Sequence, residues 1–284
     1  MATPSTGRPV PWSVPTDYLL RLRLDAALRA LEGGEYTAAL VEAEELLAEA
    51  PGHEPALGVV GTAALQLGNA TLACEAFSLL LELRPDDAET HAVLAMARFG
   101  LADLHGALRS ARSAVALRPD LPEAWYYAGL AEERLRRDTE AREAFARAEA
   151  LAPDTYAEPD ELADDLWQTA LGTAATLLPA PLQRFYGDVP ARWEDFPQMD
   201  ELLAVDPPLS PFTDALYDGT PPVEGDPWSQ RPGAIRLFRR NLARPSAGPD
   251  ELAARIARAL VHEALDWLGV SMEELDPSGP SLHG

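Results

Sequence analysis

The residues best suited to chemistry lie near the end of the chain, in His262-Glu263-Ala264-Leu265-Asp266. Residues four apart share one face of a helix, so His262 and Asp266 can hold a cation between them. A glutamate beside the first ligand can take a proton from metal-bound water, which is the logic of the His-Glu-x-x-His zinc helix. Here Asp266 stands where that motif has its second histidine. The same residues have a plainer reading. On a helical wheel Arg255, Arg258, His262 and Asp266 form one polar stripe, opposite an apolar face of Ile256, Leu260, Val261, Ala264, Leu265 and Leu268. Such a stripe is ordinarily solvated, and its charges exchange only a few tenths of a kcal/mol.

The helix that must carry these residues, expected over 250–268, is clearly punctuated. Pro249 precedes it, Asp250 suits a cap, and Gly269 ends it. Upstream, an amphipathic helix is expected over 159–177, with Leu162, Leu166, Trp167, Ala170, Leu171 and Ala174 on its apolar face. Short β-like pieces follow at 189–196, 215–217 and 234–238. Pro-rich loops separate them, at 206–211 and 219–232. A few strands with flanking helices predict a small α+β domain.

The order of these pieces carries a resemblance. Leu216-Tyr217-Asp218-Gly219-Thr220-Pro221, then a strand ending in Arg239-Arg240, then the motif helix, resemble the bacterial minimal zincin-like metallopeptidases. Leu178-Pro179 and Trp193-Glu194-Asp195-Phe196-Pro197 match that family's opening, so the resemblance spans roughly 160–276. It implies a zincin-like fold, a single zinc and peptide hydrolysis. The family pattern is His-Glu-x-x-His-x-x-Gly-x-x-Asp, which His262, Glu263 and Gly269 match. Asp266 replaces the second histidine and Met272 the final acid, with Glu273 and Glu274 just beyond. The resemblance therefore implies a degenerate metal set of His262, Asp266 and Glu273, with Glu263 as the general base if the site works. Histidine is scarce here, since 154–284 contain only His262 and His283.

The first half is organised by a period. Pro51, Pro85, Pro119 and Pro153 recur every 34 residues, and so do Ala39, Ala73, Ala107 and Ala141. A third register reads Ala27, Gly61, Ala95, Gly129, and a fourth Ala43, Phe77, Ala111, Phe145. Paired helices explain these types: small residues allow close approach, Phe77 and Phe145 fill space between hairpins, and proline ends each second helix. Pro55 and Pro122 suit a first helical turn. Turns inside the hairpins are expected at Gly33-Gly34, Gly68-Asn69, Gly100 and Arg137-Asp138. The segment 20–153 resembles four tetratricopeptide repeats, a 34-residue helix–turn–helix unit. That resemblance implies an α-solenoid that binds protein or peptide along its first helices, where Leu65, Met96, Phe99 and Tyr126 line the inner face. Chaperone-docking relatives resemble one another in having Lys and Asn there, and those are missing here. The equal alternative is that the C-terminal half of the chain fills this groove.

Composition narrows the partners. The 284 residues carry a net charge of −23, and every basic residue is arginine. A surface this negative repels phosphate backbones and anionic lipid, so neither nucleic acid nor a membrane is an expected partner. The missing lysine suggests a GC-rich bacterial genome. Cys74 is the single cysteine, so no internal disulfide forms, and a buried inert thiol is expected. The start has no apolar signal segment, which points to the cytoplasm.

The expected chain is thus mostly α. A Pro-rich extension at 1–19 precedes the solenoid at 20–153, a linker at 154–160, a zincin-like α+β domain at 161–276 and a tail at 277–284. The expected function is a protein-interaction scaffold with an inactive zincin-like domain and no cofactor. The alternative is a zinc metallopeptidase in which the repeats select substrate.

Overall fold

The computed structural model describes residues 16–157, 162–221, 228, 230–244 and 248–272. The chain falls into two compact units. The first comprises described residues up to Arg98 together with 109–119, and the second comprises 99–108 together with those from Asp120 on. The expected boundary near 153 lies inside the second unit.

Eight helices follow the 34-residue period: α1 (Thr16–Glu32), α2 (Tyr36–Glu49), α3 (Glu54–Gln66), α4 (Ala70–Leu83), α5 (Ala88–Gly100), α6 (Leu104–Leu117), α7 (Pro122–Arg134) and α8 (Asp138–Leu151). Each second helix stops two residues before its proline, because proline disfavours the helical conformation in the residue ahead of it. Pro55 and Pro122 sit in the first turns of α3 and α7, as expected.

Each hairpin reverses through one residue in the left-handed region. These are Gly34 (φ 76°), Gly68 (φ 75°), Ala102 (φ 58°) and Arg136 (φ 62°), which are again 34 apart. The amide after the turn donates back five residues, Glu35 to Ala30 and Asn69 to Ala64 at 2.8 Å and Arg137 to Glu132 at 2.9 Å. This satisfies carbonyls that a helix end would leave open. Glycine meets the turn without cost twice, and Ala102 and Arg136 hold it against their own Cβ.

Inside the hairpins the small positions decide the packing. A Cβ on Gly61 would lie 2.5 Å from the Phe77 ring, and one on Gly129 2.7 Å from the Phe145 ring. Phenylalanine therefore lies over the glycine of its own hairpin, and where alanine replaces it the facing residue is Ala27 or Ala95. Phe77 also reaches Leu94 and Ala97 of α5 in one cluster, which is the space between hairpins that the sequence assigned to it.

In the second unit the short helix α9 (Pro153–Tyr156) follows α8 directly, so part of the expected linker is helical. Then come α10 (Asp164–Leu177), α11 (Ala180–Tyr186), β1 (Ala191–Glu194), α12 (Met199–Leu202), β2 (Ala215–Tyr217), β3 (Ile235–Phe238), α13 (Arg239–Ala243) and α14 (Pro249–Leu268). The sheet order is β1-β3-β2, with β1 parallel and β2 antiparallel to β3. One apolar core joins α10, α11, the sheet and α14 through Trp167, Leu182, Phe185, Ile235, Leu237, Ile256 and Leu260. Gly269 takes the left-handed conformation (φ 65°) and ends α14 by donating to Leu265 O at 2.8 Å. Helix α14 starts one residue earlier than expected, and α11, α12 and α13 were not anticipated. The expected 1–15 stretch of the extension, the tail 277–284 and residues 222–227 and 229 of the loop 219–232 lie outside the described residues. No helix among the described residues is long and apolar enough to cross a membrane.

Candidate metal centre and repeat face

Helix α14 presents the motif at its C-terminal end, packed on one side against α10 and on another against β2. Arg255, one helical face upstream, forms a two-pronged ion pair with Asp214 at 2.8 Å and so ties the start of β2 to the helix. Trp267 Nε1 donates to Gln230 O at 3.0 Å, and its ring meets Tyr217 edge-on at 4.7 Å. These contacts fix the register of α14 against the strand.

His262, Glu263 and Asp266 come together, their ligand atoms all within 4.8 Å of one another. His262 Nδ1 lies 3.4 Å from Asp266 Oδ2 and 3.9 Å from Glu263 Oε1. Their surroundings differ sharply. The His262 side chain is 75% exposed and that of Asp266 59%, whereas Glu263 is 9% exposed. Burial pushes the Glu263 carboxyl up to about 8, Asp266 adds to the rise, and the Tyr217 backbone pulls it back by hydrogen bonding. Tyr186 lines the same buried side; its hydroxyl donates to Leu260 O at 2.7 Å, and burial raises its pKa. The wheel placed neither Glu263 nor Trp267, and both lie on the buried side of α14.

Met272, at the position of the family's last acidic ligand, is half-buried and packs against the apolar core. Glu273 and Glu274 lie outside the described residues. Among the described residues the centre therefore offers one imidazole and one carboxylate facing outward, and a second carboxylate turned inward.

The repeat face is divided. Leu65 is half-buried against the cluster of Ala64, Phe77 and Leu94, and Met96 is also half-buried. Phe99 is fully covered: Phe212 lies on it with ring centroids 4.8 Å apart, and Tyr127 meets it at 6.2 Å. Tyr126 is half-buried in an aromatic set with Tyr127, Phe145 and Tyr156.

The segment that carries Phe212 is clamped onto α7 by a buried polar network that no sequence motif announced. Arg134 donates to Asn241 Oδ1 at 2.5 Å, to Pro211 O at 3.3 Å and to Glu133 at 2.8 Å, and stacks on Phe196 at 3.7 Å. Asn241 donates to Pro211 O at 2.8 Å and Thr213 O at 2.6 Å. Arg244 pairs with Glu133 at 2.8 Å and lies over the Phe145 ring at 4.7 Å. Burial pulls the Arg134 guanidinium down to about 10, against the upward pull of Glu133. A run of adjacent charges, Glu132-Glu133-Arg134, on an otherwise apolar helix was the one available signal.

Comparison with known proteins agrees with this architecture. The sequence profile of the zincin-like metallopeptidase family matches residues 186–280, and a tetratricopeptide-repeat profile matches residues 24–88 and 93–155. Similar solved structures include one described as the crystal structure of MamA protein, at 20% identity and a TM-score of 0.47, covering 49% of this chain and 75% of that one. Another is MamA from Desulfovibrio magneticus RS-1, at 21% identity and a TM-score of 0.45, covering 48% and 76%. No curated protein sequence matches the chain.

Proposed function

Because one chain carries tetratricopeptide repeats and a zincin-like metallopeptidase domain, we propose that it is a protein-interaction scaffold whose zincin-like domain does not cut peptides. One observation carries this reading. A catalytic zinc takes three protein ligands and keeps a fourth position open. What supports this reading is that, among the described residues, a single imidazole and one exposed carboxylate face outward, Glu263 is drawn into the core, and Met272 stands in the place of the final acid. Loss of supporting groups alone costs metal affinity roughly 10–100-fold, and here ligands themselves are changed.

Recruitment falls to the repeats. Leu65 and Met96 are apolar and partly accessible, and tetratricopeptide repeats generally bind protein or peptide. Phe99 is taken by Phe212, so an incoming peptide meets Leu65 and Met96 in the first unit, and Tyr126 is a separate candidate contact in the second. The site of action is the cytoplasm.

A second reading has one observation in its favour. The three donor atoms of His262, Glu263 and Asp266 already lie within 4.8 Å of one another. With Glu273 as a further ligand, that reading makes the chain a metallopeptidase with Glu263 as general base. Elemental analysis of the purified protein decides between them, combined with peptide hydrolysis by wild type and Glu263→Gln. The scaffold reading expects no bound zinc and equal background hydrolysis. Stoichiometric zinc that disappears in His262→Ala, with hydrolysis lost in Glu263→Gln, overturns it.

A further inference from the structure

Within the first unit, residues of α4, α5 and α6 line an open recess of about 280 Å³ far in sequence from the zincin-like domain. Its lining is rich in groups that bind anions. Arg98 from α5 donates through Nη1 to Ser110 Oγ at 2.7 Å, and Ser110 is 3% exposed, so that guanidinium is fixed at the wall. Arg109 and Ser113 lie four residues apart on α6 and therefore share a face, and Ser78 adds a hydroxyl from α4.

The charge balance makes Arg109 unusual. The chain has 46 acidic residues for 23 arginines, yet Arg109 is exposed and has no carboxylate partner among the described residues. Glu82 also lines the recess, which disfavours a bulky or multiply charged ligand. His91 Nε2 lies 2.9 Å from Pro85 O, and its Nδ1 is buried without a hydrogen-bond partner. The net charge of −23 repels an extended polyanion. A compact anion seated against two guanidiniums is governed instead by contacts shorter than the Debye length of about 8–10 Å.

We infer that this recess binds a small tetrahedral oxyanion, inorganic phosphate or the phosphate monoester of a small molecule, through Arg98, Arg109 and the hydroxyls of Ser78, Ser110 and Ser113. Guanidinium groups suit phosphate because their planar fork donates two parallel hydrogen bonds. The site is independent of whether the zincin-like domain is active.

Calorimetric titration of the full chain with inorganic phosphate, at ionic strength held constant with chloride, tests the assignment. One phosphate per chain is expected. Arg109→Gln, an exposed substitution, is expected to weaken it by about tenfold or more. Arg112→Gln, exposed on the same helix but outside the recess lining, leaves the affinity unchanged. O-phosphoserine titrated in parallel distinguishes the two sources: saturable binding extends the site to monoesters, and its absence restricts it to the free ion. No saturable heat with phosphate, or equal affinity in wild type and Arg109→Gln, overturns the inference.

Discussion

Replacing Gly61 by alanine isolates the contact on which the second hairpin depends. An alanine Cβ would lie 2.5, 2.6 and 2.9 Å from three carbons of the Phe77 ring, where ordinary carbon contacts are about 3.5–4.0 Å. Over-packing of this kind costs about 1–3 kcal/mol. Against it stands the helix-propensity gain of alanine over glycine, about 1 kcal/mol. Gly58, on the same helix, meets nothing within 4 Å and supplies the control. Gly58→Ala should stabilise by about 0.5–1 kcal/mol. Gly61→Ala should fall about 1–3 kcal/mol below that control. Phe77→Ala is itself costly, about 3–5 kcal/mol, but it empties the space. In that background Gly61→Ala should therefore behave like Gly58→Ala. Urea unfolding followed by far-UV circular dichroism gives all four numbers. If Gly61→Ala stabilises as much as Gly58→Ala with Phe77 in place, the complementarity of the two registers is not what sets the hairpin geometry.

Three further outcomes follow from the same coordinates. The Glu263 carboxyl is raised from 4.5 to about 8 in the fold, so the folded state holds its proton more tightly than the unfolded chain. Its favourable contribution is full below pH 4.5 and is lost as pH rises towards 8, at up to about 1.4 kcal/mol per pH unit; melting temperatures of the metal-free protein should fall over that window, and Glu263→Gln should flatten the decline. Ala102→Gly and Arg136→Gly each relieve a left-handed residue and should stabilise by roughly 0.5–1 kcal/mol, read by thermal unfolding, whereas glycine at an ordinary helical position destabilises. Asn241→Ala strips donors from the carbonyls of Pro211 and Thr213 and an acceptor from Arg134, all in a buried setting. It should cost at least about 2–3 kcal/mol and speed hydrogen exchange in the 211–213 segment.

The repeats were legible because each hairpin buries the same positions, so small residues and prolines return every 34 residues and phenylalanine in every second hairpin. The left-handed turn also recurs at that step, at Gly34, Gly68, Ala102 and Arg136. Only the two glycines advertise it, since alanine and arginine there look like helix formers. The three strands fell close to their expected ranges because β-branched and aromatic residues between Pro-rich loops have few other uses. The short helices α11, α12 and α13 were hidden, being too brief for any period to show. At the metal centre the spacing of His262 and Asp266 gave their shared face. It could not give the burial of Glu263, which depends on β2 lying across that side of α14. For Phe99 the sequence left two equal alternatives, a peptide-binding face or one filled by the C-terminal half, and Phe212, 113 positions later, reaches it only through the folding of the second unit.

The clamp of Arg134, Asn241 and Arg244 also bears on how such a chain can be shortened or lengthened. Repeat arrays usually grow or shrink by whole units, because each unit touches only its neighbours. Here the final hairpin is a floor as well as a repeat. Removing it would take Arg134 from Asn241 Oδ1 and Glu133 from Arg244, so a cut at the last periodic proline should yield a fragment that folds poorly. A cut ahead of α7 keeps those side chains together, and the earlier hairpins are the ones whose number can change.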